Sequence, residues 1–127
     1  MKSGKFSVSA RLRSFRYAFR GFMWLIRDEH NFRIHLAITV LVIPVCFVLK
    51  LDRTEWALII LCIALVLAME GINSAIERLA DKLAPGHDPI IGKVKDVSAA
   101  AVLVCAIGTA AVGLIILVPK IILLFTL

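Results

Sequence analysis

Glu70, Asn73, Glu77 and Asp81 follow one another at intervals of three, four and four residues. On an α-helix those intervals put the side chains on one face. At 1.5 Å of rise per residue, Glu70 lies roughly 10 Å deeper than Glu77. The fourteen residues from Trp56 to Met69 carry no charge, so the stripe runs from inside a hydrocarbon boundary toward water. An ionisable group within a membrane span is costly and marks a functional candidate. A helix end that emerges into water, with Glu70 as its first wet residue, would show the same pattern. These four residues alone leave both readings open.

Other groups belong at the same level. Asp28 and Glu29 stand just before the first apolar run, and Lys95 and Asp96 just before the last. Carboxylates with an amide suit Mg²⁺, a hard cation that shares its oxygen ligands with phosphate. A lysine suits phosphate as a point charge. Together they call for a metal-bound nucleotide at the membrane surface, although interfacial salt bridges would use the same residue types. No Walker A loop is present: Gly86–Lys93 has one residue too many between its glycines, and Val94 replaces the Ser/Thr. Kinase, deaminase and hydrolase signatures are absent as well.

The elements that position these groups follow from composition. The chain has 127 residues, of which 61% are hydrophobic and 19% charged, with a mean hydropathy of +0.94. A soluble domain of this size cannot bury so much apolar surface, which excludes a soluble enzyme, a disordered tail and a disulfide scaffold. The expected fold is an all-α integral membrane protein, a single membrane domain over 1–127. Its helices are expected at 6–27, 34–49, 54–83 and 97–118, the last three with transmembrane spans. In 6–27, Val8, Leu12, Phe15, Phe19, Phe22 and Ile26 form an apolar stripe with Arg13, Arg16, Arg20 and Arg27 to one side. This reads as an amphipathic helix on the membrane surface, or one packed on the other helices. The first span contains Pro44, the loop 84–93 is broken by Pro85, Gly86 and Pro89, and Pro119 and Lys120 are expected to end the third span.

The net charge is +6, and eight basic residues (Lys2, Lys5, Arg11, Arg13, Arg16, Arg20, Arg27, Arg33) lie within 1–33. That bias predicts a cytoplasmic N-terminus and an outward C-terminus. A nucleic-acid partner is not expected, because the rest of the chain is lipid-soluble. Cys46, Cys62 and Cys105 lie in separate apolar runs and read as small buried hydrophobes.

The segment Glu70-Gly-Ile-Asn73-Ser-Ala-Ile-Glu77-Arg-Leu-Ala-Asp81, followed by Lys95-Asp96 and Ala99-Ala100-Ala101-Val102, resembles the prokaryotic diacylglycerol kinase family over about residues 15–120. Asn31-Phe32-Arg33-Ile34-His35, Arg53-Thr54-Glu55-Trp56 and Tyr17-Ala-Phe-Arg-Gly21 look more like its undecaprenol kinase branch; the diacylglycerol branch carries a Glu where His35 stands. The resemblance implies a homotrimeric bundle in the bacterial inner membrane that moves the γ-phosphoryl group of Mg-ATP to a lipid hydroxyl. It implies Glu70 as general base and Glu29 and Glu77 as ligands of the nucleotide-bound Mg²⁺. Asn73 would position phosphate or metal, and Lys95, Asp96, Tyr17 and the loop Gly86-His87-Asp88 would lie at the nucleotide. That loop departs from the family's Tyr-His-Pro, since His87-Asp88-Pro89 stands here. Arg33, His35 and Trp56 are expected beside Glu70 at the lipid substrate.

The leading expectation is therefore an ATP-dependent lipid kinase acting on undecaprenol, with diacylglycerol as the second acceptor. A small proton-coupled transporter using Glu70, or a membrane anchor without catalysis, are the readings from other classes.

Overall fold

The computed structural model describes residues 4–126; Lys2 of the basic segment lies outside the described residues. The chain is all-helical, with α1 over Val8–Asp28, α2 over His30–Val48, α3 over Arg53–Leu83 and α4 over Pro89–Thr126. The last three are each long and apolar enough to cross a membrane, as expected for a bilayer with a core about 30 Å thick.

Helix α1 starts where the Ser7 hydroxyl caps the amide of Ala10. It buries no residue. Val8, Leu12, Phe15 and Phe19 of its apolar stripe stay exposed, as an interfacial helix requires. Only its C-terminal part docks. Phe22 meets Phe32 of α2 edge-on, with ring centroids 5.5 Å apart, and a Cβ placed on Gly71 of α3 would stand 3.3 Å from Leu25 Cδ1. The glycine thus admits α1 close to the α3 backbone. Packing on the other helices is thus seen for the C-terminal part, while the exposed apolar stripe leaves the rest of the helix free to lie on a membrane surface.

Helix ends depart from the expected ones, and for a common reason. Helix α2 begins at His30 rather than 34, because polar residues mark the edge of the lipid and not the end of hydrogen bonding. Helix α4 begins at Pro89, inside the expected loop. The Asp88 carboxylate accepts from the amides of Ile90 (2.9 Å) and Ile91 (3.2 Å), so Asp88 is an N-cap and Pro89 fills the first helical position, where no N–H is needed. Pro119 does not end α4 either. The chain beyond it is apolar, and backbone groups facing hydrocarbon must remain paired within the helix. Lys120 instead reaches Glu55 at the start of α3, Nζ to Oε2 3.1 Å.

The α2–α3 connection is tight. Lys50 takes a left-handed conformation (φ 54°), which costs a side-chain-bearing residue about 1–3 kcal/mol. The amide of Leu51 returns to the carbonyl of Cys46 at 3.4 Å, and Asp52 and Glu55 form a reciprocal capping box at the start of α3. Cys46, Leu51, Ile59 and Ile116 pack an apolar core at this end of the bundle. The buried polar residues Glu70, Asn73, Ser74 and Ser98 gather toward the other end.

Candidate active site

Glu70 sits on α3 with 4% of its surface exposed. A buried carboxylate needs a partner or it loses its charge, and the partner comes from α2: His35 Nε2 stands 3.0 Å from Glu70 Oε1. One helical turn nearer the end of α3, Asn73 is also buried. The hydroxyl of Ser98, on α4, donates to Asn73 Oδ1 at 2.7 Å. That bond commits the amide oxygen to α4, so the amide nitrogen faces along α3 and donates to Glu77 Oε1 at 3.3 Å. A single chain of bonds therefore links α4, the amide and the second carboxylate of the stripe. Every fully buried side-chain nitrogen and oxygen among the described residues has a partner, as a polar network inside an apolar bundle must.

The third acid is placed by a residue that spacing did not single out. Arg78, next to Glu77 on α3, donates from Nε (3.1 Å) and Nη2 (2.8 Å) to the same oxygen of Glu29, Oε1. Its guanidinium carbon lies 3.6 Å from the centroid of the Trp24 ring, a cation–π stack. Glu29 is the single extended residue between α1 and α2 (φ −112°, ψ 110°), so Arg78 ties the joint of those helices to the turn that carries Glu77. Further out, Lys95 Nζ donates to Asp81 Oδ1 at 2.8 Å. That hydrogen bond, with the charge of Asp81 behind it, holds the lysine above its ordinary range, and Glu77 adds to the effect. Lys95 is therefore cationic at neutral pH.

Among the described residues, no group of three or more His, Cys, Asp and Glu is arranged to hold a metal. Magnesium that arrives with a nucleotide needs only one or two protein carboxylates, the phosphates and water supplying the rest. Glu77, oriented by Asn73, and Glu29, whose second oxygen is outside the Arg78 contact, fit that requirement.

Not every expected residue joins the cluster. Trp56 packs on Phe47 in α2, ring centroids 4.7 Å apart, fourteen residues or roughly 21 Å along α3 from Glu70; it belongs to the opposite end of the bundle. Arg33 turns along its own helix, Nη2 to His30 Nδ1 3.1 Å, and not toward Glu70. Tyr17 is exposed on α1, where Arg20 lies 5.8 Å from its ring centroid. Asp88 is engaged as the α4 cap, while Gly86, His87 and Asp96 are exposed. Ser98, Arg78 and Trp24 are the residues that sequence reasoning missed. Ser98 reads in sequence as one more small residue of a packing face, and Arg78 as the solvated neighbour of an acid.

The model of the family described as prokaryotic diacylglycerol kinase matches residues 16–117. The chain belongs to that family. It is 36% identical over 108 residues to an undecaprenol kinase of Bacillus subtilis, covering 85% of this chain and 88% of that protein. It is 38% identical over 85 residues to a diacylglycerol kinase of Pseudomonas aeruginosa, covering 67% and 69%. A diacylglycerol kinase of Synechocystis is 35% identical over 107 residues, covering 84% of this chain and 61% of its own length. As a member of the family, the protein is a multi-pass membrane enzyme, a lipid kinase that uses a nucleotide to phosphorylate a lipid alcohol. This sets aside the transporter and anchor readings.

The Ser98 link has a direct consequence. Replacing Ser98 by Ala removes the donor to Asn73 Oδ1, and a buried acceptor left unpaired costs about 1–3 kcal/mol. The amide is then free to turn away from Glu77. Lipid phosphorylation by S98A should fall roughly tenfold, the equivalent of about 1.4 kcal/mol, and steady-state kinetics will check it. A wild-type rate would separate the amide's function from its orientation by α4.

Proposed function

We propose that this kinase transfers the γ-phosphoryl group of Mg-ATP to the hydroxyl of undecaprenol at the inner face of the bacterial cytoplasmic membrane, with its N-terminus in the cytoplasm. The observation that carries the reading is the depth order along α3: a buried carboxylate, Glu70, lies about two turns from Glu77, with the amide of Asn73, which donates to Glu77, between them. A membrane alcohol meets the first while a nucleotide from water meets the second.

In this reading Glu70 takes the proton of the lipid hydroxyl. The hydroxyl oxygen forms a bond to the γ-phosphorus as the bond from that phosphorus to the bridging oxygen of ADP breaks. Phosphoryl transfer depends on alignment and charge neutralisation rather than on a protein covalent intermediate. Glu77 and Glu29 would hold Mg²⁺, which when bound supplies positive charge at the phosphates. Asn73 fixes Glu77, and Lys95 and Asp96 stand where α4 leaves the membrane and would meet the nucleotide. Three helices with outward apolar faces cannot enclose such a site. A homotrimer is the assembly we propose, with Ala99, Ala100, Gly108 and Gly113 of α4 permitting close helix approach.

Undecaprenol is favoured over diacylglycerol because His35 stands where, by the family resemblance, the diacylglycerol branch carries Glu. The test is label transfer from ATP to each lipid, side by side, by purified protein in detergent with Mg²⁺. Faster labelling of undecaprenol is expected. Faster labelling of diacylglycerol would reverse the acceptor, and labelling of neither would overturn the reading.

A further inference from the structure

The geometry points to His35 as a positioning residue that orients the Glu70 carboxylate, rather than as a group that binds the lipid; the inference rests on Glu70 being the base. Among the described residues, His35 is the one charged or titratable side chain within salt-bridge distance of Glu70, Nε2 to Oε1 3.0 Å. The two sit on different helices, so their contact fixes the carboxylate relative to α2 as well as α3. Only Oε1 is engaged, which leaves Oε2 as the oxygen to receive a proton.

The surroundings of the imidazole favour that single partner. His35 borders a groove of about 340 Å³ between α2, α3 and α4, whose other walls include Ile38, Val42, Ile63, Val66 and Ala106. Thr39, on that wall, already donates its hydroxyl to the carbonyl of His35 at 2.9 Å. Glu70 is thus the one strong acceptor in reach of Nε2. The side chain of His35 is 25% exposed and that of Glu70 5%, so the imidazole lies on the outer side of the carboxylate and shields it. A glutamate has three rotatable side-chain bonds, and in an apolar site a misdirected carboxylate has few other partners to return it. Orientation errors of about 1 Å cost roughly 10²-fold in rate.

The experiment compares His35→Leu and His35→Gln with the wild-type protein, with undecaprenol and with diacylglycerol, in detergent with labelled ATP. Glutamine places an amide N–H near the position of Nε2, and leucine fills the space without a donor. H35L should lose about 10²-fold in kcat with KM for lipid and for Mg-ATP unchanged, and H35Q should recover most of that loss. Three results overturn the proposal: kcat unchanged in H35L, a loss in H35L carried by a raised KM for lipid, or H35Q no better than H35L. Failure of the underlying reading looks different, because Glu70→Gln, assayed alongside, would then keep its activity.

Discussion

Replacing Glu70 by glutamine should reduce lipid phosphorylation by about 10²–10⁴-fold, the range that a positioned general base contributes. The substitution keeps the size of a residue that is 4% exposed and removes its ability to accept a proton. Glutamine still presents an oxygen to His35, so the α2–α3 contact survives. The loss should therefore appear in kcat, with the helical content, the assembly state and the affinity for Mg-ATP retained. Single-turnover kinetics on purified protein will check this. A variant that stays fully active would remove Glu70 from the chemistry.

The second large effect is expected at Glu77. Changing it to Gln removes one of the two carboxylates proposed to receive Mg²⁺ while leaving a side-chain oxygen for the Asn73 amide. Even partners one shell outside a metal change affinity by about 10–100-fold when lost. E77Q should therefore raise the Mg²⁺ concentration needed for half-maximal turnover by at least that factor. A magnesium titration at fixed ATP checks it, and excess magnesium should restore part of the rate. An unshifted titration would assign Glu77 to the structural network with Asn73 and Ser98 alone. The two variants thus divide the stripe: one should fail at every magnesium concentration, the other only when magnesium is scarce.

Much of this arrangement can be read from residue spacing, because a helix converts sequence interval directly into direction. Glu70, Asn73 and Glu77 share a face by arithmetic, and Asn73 is bonded to Glu77 as that face implies. Contacts between helices have no such rule. Nothing in the order of residues shows that Ser98 meets Asn73 across 25 positions, or that Arg78 meets Glu29 across 49. Trp56 shows the converse: resemblance points to this aromatic beside the site, and it packs on Phe47 at the other end of the bundle. The helix ends differ from those expected because hydropathy senses the bilayer, whereas helices end where capping and backbone bonds permit. Asp88 and Pro89 illustrate it. Two residues that look like a loop are a good helix start when the acid precedes the proline.

Glu29 carries a mechanical consequence. It is the whole of the linker between the amphipathic α1 and the apolar α2, and a single extended residue has no slack to absorb relative movement. Any change in tilt of α2, as in a thinner or thicker bilayer, must swing α1 or strain the guanidinium clasp on Glu29. The acid proposed to hold magnesium thus sits at the fulcrum, where a change in the thickness of the surrounding lipid would be felt.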